Sequence, residues 1–462
     1  MTDQRESALE YVRTNREKFL KEYKEILSIP SISTDPEHAT DIRRAADWMA
    51  AQLKSLGMQK VQIFPTALHP IVYGEQLGVR GAPTLLVYGH YDVQPVDPLD
   101  LWKTDPFTAR VEGENIYARG ASDMKGQAMV VLKAIEALVR TGGLPVNLKW
   151  LFEGEEEIGS PDLEKFILEQ KELLSSDYAL NPDSGMVSKE APAIVYALRG
   201  LAYFELRVSG PDHDLHSGSF GGVVHNPANA LAELIAGMHD SKGRVTLPGF
   251  YDRVRSLSKE DRKELARLPL DDQHYLRVTG VPALYGEQGY TPNERSGARP
   301  TLDVNGLLSG FTGSGSKTII PAWAMAKLSC RLVPDQDPKE VHLQLLDYLK
   351  KNAPQDIRWE LIEHSGGRAS ISDRSNAAVQ ALSEALEQVW GQPPFYKREG
   401  GSIPVVAQMQ QLLGVESVIC GFGLPDDNIH APNEKQHLPT WHRGIEAFVH
   451  FFMNMKLKNN GR

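Results

Sequence analysis

Thr84-Leu85-Leu86-Val87-Tyr88-Gly89-His90-Tyr91-Asp92-Val93-Gln94-Pro95 is a short apolar run that stops abruptly at a histidine and an aspartate. Leu85, Leu86 and Val87 in unbroken succession are the pattern of a strand buried on both faces of a sheet, and Gly89 ends it just before the polar residues. A strand of that kind belongs to an α/β fold, and in open α/β sheets ligands gather beyond the carboxyl ends of the strands. Residues i and i+2 of an extended chain point the same way, so Asp92 can accept from the ring N–H of His90 and leave the other ring nitrogen for a metal. The plainer alternative is a histidine satisfied within a loop, and this stretch by itself leaves both open.

With 462 residues the chain exceeds what one core usually serves, so two domains are expected and three stay open. Lys and Arg number 50 against 60 Asp and Glu, a net charge of -10. That well-mixed, moderately acidic balance suits a soluble protein and argues against nucleic acid or an anionic membrane as partner. The cysteines are Cys330 and Cys420 alone. A disulfide framework and a thiolate zinc site within one chain are thereby excluded, and any metal must be held by His and carboxylates. Residues 1–24 are dense in Arg, Lys and Glu without the apolar stretch of a signal peptide, and no segment reads as a membrane span. The expected location is therefore cytoplasmic.

Leu9, Val12, Phe19, Leu20, Tyr23 and Leu27 recur at helical spacing, which predicts one amphipathic helix over residues 7–27, closed by Pro30. A second helix is expected from about Thr40, as its N-cap, to Gly57. Strands are predicted at residues 61–64, 71–73 and 85–88. Residues 94–115, with Pro95, Pro98 and Pro106, read as a long irregular segment, and long ordered loops are more often functional than idle. Asp123, in Gly120-Ala121-Ser122-Asp123-Met124-Lys125-Gly126, falls where a loop enters a helix marked by Ala128, Val131, Leu132, Ile135 and Leu138. Ser and Asp are ordinary caps at such a junction, with or without a ligand.

A strand at residues 146–151 runs into Glu153-Gly154-Glu155-Glu156-Glu157-Ile158-Gly159-Ser160, where three carboxylates stand side by side. Such crowding is costly unless a cation or a shared proton relieves it. Asp183, in Asn181-Pro182-Asp183-Ser184-Gly185, is explained in full by turn chemistry. After Gly200 the pattern changes: strand 203–208, helix 227–238, strand 323–333, helix 338–349 and strand 357–363. That order is the plan of a ferredoxin-like α+β domain, inserted between two parts of an α/β domain whose mixed central sheet is flanked by helices. The expected boundaries are 1–198, 199–372 for the insert, and 373–462. Residues 241–300 read as a charged, irregular excursion from the insert. His216 and Arg331 lie in the insert and, as exposed polar residues, most often serve only the surface. The α/β pattern then resumes with helix 376–390, a Gly-rich turn at residues 398–404, strand 417–420, a loop holding His430 beside Asn433 and Glu434, and helix 440–455.

Five strand ends or loops of one expected α/β domain thus offer His90, Asp123, a Glu pair, Asp183 and His430. Each has an ordinary explanation. Together they are two histidines and three carboxylates, the donor inventory of a dinuclear zinc or similar divalent site with one carboxylate bridging. The second Glu of the pair would then be free to take a proton from water.

Gly-His-Tyr-Asp-Val-Gln-Pro at residues 89–95, Gly-Ala-Ser-Asp-Met-Lys-Gly at 120–126, Glu-Glu-Ile-Gly-Ser at 156–160, His-Ser-Gly at 216–218, Ser-Cys-Arg-Leu-Val-Pro at 329–334, Arg-Glu-Gly-Gly-Ser-Ile-Pro at 398–404 and His-Ala-Pro-Asn-Glu at 430–434 occur in a telling order. In that order they resemble the dinuclear metallopeptidase family of carnosinase-like dipeptidases, aminoacylases, carboxypeptidase G and the acetylornithine and succinyl-diaminopimelate deacylases. The likeness covers essentially the whole chain and is strongest to the carnosinase-like dipeptidase branch. It implies two divalent metals per subunit, zinc with manganese or cobalt as alternatives. Asp123 would bridge them, with His90 and Asp183 completing one site and Glu157 and His430 the other.

The same resemblance implies that Asp92 orients His90, that Glu156 is the general base, and that Thr318, Arg331 and Ser402 contact substrate. Arg331 is suited to gripping a C-terminal carboxylate. The insert becomes a lid and dimerisation domain, and His216 reaches the partner's active site to stabilise an oxyanion. The implied reaction is amide hydrolysis of a dipeptide or short peptide. An N-acyl amino acid deacylase with the same site is the first alternative. A non-catalytic metal- or peptide-binding relative is more remote, since no ligand or base is missing, and a dinuclear phosphoesterase would have no reason to carry this ordered motif set.

Overall fold

Thr84–His90 forms a strand that is buried from Leu85 to His90, and the strands beside it are laid out around it. In the computed structural model, which describes residues 2–401 and 403–459, the sheet runs Gln59–Phe64, Ile71–Gln76, Asn147–Glu153, Thr84–His90, Tyr178–Asn181, Ser417–Ile419, Ala193–Leu198. The middle four strands, from Asn147–Glu153 to Ser417–Ile419, are parallel. The strands on either side join antiparallel, so the sheet is mixed. His90 is in register with Glu153, and Asn181 with Ile419, so the carboxyl ends of the parallel strands emerge along one edge. Loops leaving that edge are the ones able to converge on a ligand.

Helix Lys125–Thr141 is buried from Lys125 to Leu138 and packs against Leu438–Asn459 and the N-terminal helix. Three of its charged residues, Lys125, Lys133 and Glu136, lie inside. Lys133 Nζ donates to Glu136 at 2.9 Å and to Glu22, and Lys125 Nζ donates to the Ile29 carbonyl at 2.7 Å. Pairing is what makes such burial tolerable. The single N-terminal helix expected over residues 7–27 is in fact two, Thr2–Thr14 and Arg16–Leu27. At the break the side chains of Thr14 and Asn15 bond to the carbonyls of Glu10 and Tyr11, both at 2.9 Å, and offer the backbone an alternative to the helix ladder. Thr40 is not a cap either: Asp35 caps a short turn through Glu37 N–H at 2.9 Å, and the helix Ala39–Ser55 continues from it.

The chain forms two compact units, the first made of the residues up to Tyr196, Ser372–Lys397 and those from Pro404 on. The second is Ala197–Ile371 with Arg398–Ile403, a short stretch that the sequence reading counts with the flanking α/β part. In the second unit the strand order is Thr301–Ser309, Trp323–Leu332, Gly200–Ser209, Arg358–Gly367, all antiparallel. Helices Pro227–Gly237 and Pro338–Asn352 pack against this sheet, with Phe204, Leu206, Leu231, Leu234, Ala326, Leu328 and Leu345 in the core between them. This is the expected ferredoxin-like arrangement.

Residues 241–300 are irregular only in part. They contain helices Lys259–Arg267, Asp272–Thr279 and Pro292–Ala298, two of them opened by capping boxes at Ser258 and Thr291. Among the described residues no helix is long and apolar enough to cross a membrane.

Candidate metal centre

His90 ends its strand with its side chain fully enclosed. Its Nδ1 lies 3.2 Å from the Asp92 carbonyl oxygen and 3.4 Å from Asp92 Oδ1. Its Nε2 points to Asp123 Oδ1 at 3.2 Å and Asp183 Oδ2 at 3.9 Å, yet makes no hydrogen bond although it is inaccessible to water. A buried ring nitrogen left in that state, aimed at two carboxylates, is a donor atom waiting for a cation. Asp92, expected to orient His90, meets its Nδ1 with both carbonyl and carboxylate, at 3.2 and 3.4 Å, and the carboxylate also accepts the backbone N–H of Glu156 at 3.3 Å and of Glu157 at 3.1 Å.

Neither Ser122 nor Asp123 caps the following helix, whose N-cap is Met124 without a side-chain bond. The ordinary reading of these residues is thereby removed. Ser122 Oγ donates to Asp427 Oδ2 at 3.0 Å, and the two oxygens of Asp123 face two histidines: Oδ1 faces His90 Nε2 and Oδ2 lies 2.8 Å from His430 Nε2. The segment is propped from below by Tyr23, whose hydroxyl donates to the Ala121 carbonyl and whose ring stacks on Trp441 at 5.0 Å. Only glycine fits at residue 126, because a Cβ there would run into the Ala121 carbonyl and the Tyr23 hydroxyl.

The three adjacent acids part company. Glu155 turns away to accept from His69 N–H at 2.8 Å, Asp162 N–H at 3.1 Å and Thr66 Oγ1 at 3.1 Å, a structural role. Glu157 Oε2 accepts from Gln94 Nε2 at 2.6 Å and lies 3.4 Å from His430 Nε2. Glu156 and Glu157 open a turn over Glu156–Ile158 that ends at Gly159 with φ +88°, and both carboxylates feel the charges of His90, Asp123 and His430. Asp183 N–H donates to Asn181 Oδ1 at 2.9 Å, and its turn lies so close to Gly421 that a Cβ there would overlap the Ser184 carbonyl. His430 stands in a loop where Asn428, His430 and Asn433 all have φ between 55° and 61°, backbone that side chains seldom adopt.

His90, Asp123 and Glu157 each offer a donor atom, all within 4.8 Å of one another. The electrostatics fit a cation among them. Burial and the charge of Asp123 push Asp183 well above its ordinary value, and burial with Asp123 lifts Glu157 to about 8. Glu156 is raised too, by burial first, with His90 pulling the other way. Burial alone would lower His90, but Asp123, Asp92 and Glu156 hold it well above its usual range. His430 is lifted to about 9, chiefly by its bond to Asp123. Asp123 is raised by burial but more than compensated by His430 and His90, and ends below the usual carboxylate range. The cluster by itself balances its charge by keeping protons. Nitrogen and oxygen donors without thiolate suit a divalent ion in their place.

The remaining expected residues lie in the second unit. His216 is exposed at the end of a short strand, Leu215–His216, which pairs with Ile319–Ile320, and its Nδ1 accepts from Gly218 N–H at 3.0 Å. Thr318 is adjacent, its carbonyl accepting from Ser217 N–H at 3.0 Å. Arg331 is half-buried and lines a cavity of about 730 Å3 together with Arg199, Asp303 and Ser329. Ser402 lies outside the described residues. Sequence reasoning missed Gln94, Asp427 and Glu434, all of which bond to the residues gathered around Asp123 or to the segments bearing them. Glu434 was noticed only for standing near His430, and no pattern in the chain shows which backbone groups it meets.

Residues 86–454 match the family described as peptidase family M20/M25/M40. The Cys-Gly metallodipeptidase DUG1 of Candida albicans is 32% identical over 94% of this chain and 94% of its own length. The human Beta-Ala-His dipeptidase is 30% identical over 97% of this chain and 92% of its own. The crystal structure of an M20 family metallo-carboxypeptidase from Sulfolobus solfataricus superposes with a TM-score of 0.83 at 36% identity, covering 95% of this chain and 99% of that one. A parallel-strand edge that gathers His90, Asp123, Glu157, Asp183 and His430, and likeness of this extent, lead to one conclusion: the chain belongs to peptidase family M20/M25/M40, on the branch of the carnosinase-like dipeptidases.

Proposed function

We propose that this protein is a dipeptidase that hydrolyses the amide bond of dipeptides or short peptides with two divalent metals, zinc in the first place. Asp123, His90, Asp183, Glu157 and His430 are the residues that would hold the pair. The observation that carries the reading is Asp123 facing His90 with one oxygen and His430 with the other, at 3.2 and 2.8 Å. When bound, the two cations supply Lewis acidity to the peptide carbonyl and make a water molecule acidic enough to attack near neutral pH.

Glu156 takes the proton of the attacking water as its oxygen adds to the carbonyl carbon. It then returns that proton to the nitrogen as the C–N bond breaks. Its raised pKa suits both halves of that exchange. Asp92 holds the turn that presents Glu156, Arg331 takes the substrate carboxylate, Thr318 and Ser402 are further substrate contacts, and His216 donates to the developing oxyanion of the partner subunit's site. On this reading the second unit pairs two copies into a homodimer. Two cysteines that are both free and buried agree with a cytoplasmic location.

The relatives named for Cys-Gly and Beta-Ala-His cleavage favour a dipeptide over an N-acyl amino acid. Metal content and a substrate panel test this together. Purified protein is expected to hold two zinc ions per subunit and to cleave dipeptides in preference to N-acetyl and N-succinyl amino acids. A preference for the N-acyl compounds would make it a deacylase, and no amide cleavage by metal-loaded protein would end the enzymatic reading.

A further inference from the structure

Glu434 is wholly buried, and its two oxygens accept four hydrogen bonds. Oε1 receives the backbone N–H of Ser122 at 2.8 Å and of Asp123 at 3.0 Å, and Oε2 receives the N–H of Gly120 at 2.9 Å and Arg119 Nη1 at 2.9 Å. A buried carboxylate is tolerable when its lone pairs are all engaged, and here they are. Had its purpose been to neutralise Arg119, the single bond to that residue would have served. Three of the four bonds go to the backbone that carries Asp123.

The same loop is fastened at its other end. Asp427 Oδ2 accepts from Ser122 Oγ at 3.0 Å and from Leu424 N–H at 2.7 Å, while Oδ1 accepts from Lys435 Nζ at 2.9 Å. His430 lies between these two anchors with its backbone at φ 59°, a conformation that needs external support. The chain between Asp427 and Glu434 is thus clamped onto residues 120–123 from both sides. The 2.8 Å separation of His430 Nε2 from Asp123 Oδ2 is what the clamp leaves.

We propose that Glu434 is a positioning residue that fixes Asp123 and His430 relative to one another and so sets how tightly the protein holds its metal pair. The proposal rests on the reading of Asp123 and His430 as ligands. Glu434→Gln keeps the shape but turns an amide N–H2 toward backbone N–H groups, whereas Glu434→Asp keeps the charge and shortens the reach by one methylene.

The test compares wild type and both variants, stripped with a chelator, for zinc affinity by competition titration, for kcat and KM at saturating zinc, and for melting temperature without metal. Glu434→Gln is expected to bind at least one zinc about 10- to 100-fold more weakly and to lose kcat with little change in KM. Glu434→Asp should recover part of the affinity. A lowered melting temperature with unchanged zinc affinity in both variants would mean that Glu434 serves the fold alone, and would overturn the proposal. If Glu434→Gln does not fold, Glu434→Asp decides: affinity equal to wild type overturns the idea, and weakened affinity supports it. Wild-type protein that failed to bind a zinc pair would overturn the ligand assignment first and the proposal with it.

Discussion

Asp92 Oδ2 accepts the backbone N–H of Glu157 at 3.1 Å, so the carboxylate lying beneath His90 also fixes the turn from which Glu156 and Glu157 project. One buried side chain therefore joins two strand ends of the sheet. Removing its charge should disturb both. Asp92→Asn preserves the volume but gives up one acceptor, and is expected to weaken zinc binding by about 10- to 100-fold, the usual effect of losing a partner behind the ligands. A chelator-competition titration of the purified variant measures this. Unchanged affinity would leave Asp92 as a turn-holding residue with no bearing on the metals.

Glu156 is assigned the proton and Glu157 the metal. Glu156→Gln should lower kcat by about 10²- to 10⁴-fold, the range a positioned general base contributes, with both metals retained. Glu157→Gln should instead lose zinc. Metal analysis and steady-state kinetics on the two variants separate neighbours that the bare run of acids does not. Full activity in Glu156→Gln would show that another group moves the proton.

Strand ends and element order were legible because they follow from local pattern. The apolar run before His90 predicts the central strand, and the alternation at residues 203–208 and 323–333 predicts the inserted sheet. What escaped depends on long-range placement or on side chains competing with the backbone. The break at Asn15 arises from Thr14 and Asn15 bonding back to Glu10 and Tyr11, which apolar periodicity does not record. Strand Thr301–Ser309 was passed over because, in the structure, much of it faces solvent and carries little of the alternation that marks a half-buried strand. Glu155, Glu156 and Glu157 are equivalent as letters, and only the turn ended by Gly159 gives each its direction. Glu434 bonds to N–H groups more than three hundred residues away in the chain, which no spacing rule anticipates.

His216 is exposed in the second unit beside Thr318, where on the proposed reading it serves the active site of the partner subunit. His216→Ala is expected to lose about 10²- to 10³-fold in kcat, as for removal of an oxyanion donor. The informative experiment mixes this variant with Glu156→Gln and allows subunits to exchange. Each mixed dimer then contains one site with an intact Glu156 served by an intact partner histidine, so activity should reappear from two nearly inactive proteins. Demonstrated exchange without recovery would mean that His216 acts within its own subunit or not at all.

Without metal the site holds protons that a cation has to displace. His430, lifted from 6.5 to about 9 chiefly by Asp123, gives the metal-free fold stability that is complete below its ordinary value and lost as pH rises through about 9. Glu157, lifted from 4.5 to about 8 by burial and by Asp123, is kept neutral in the fold, and stability falls as pH climbs from its ordinary value through about 8. Both groups therefore weaken the metal-free protein in the same direction. Binding a divalent ion releases both protons, so the rise in melting temperature produced by zinc should grow from about pH 6 to about pH 9 and level off beyond. Calorimetry of metal-free and zinc-loaded protein at matched pH reads that difference. It cancels groups the metal does not touch, such as the half-buried His442 and His450 on the last helix, both lowered to about 4 chiefly by desolvation. A zinc-dependent gain that shrank with rising pH would place the metal on groups other than His430 and Glu157.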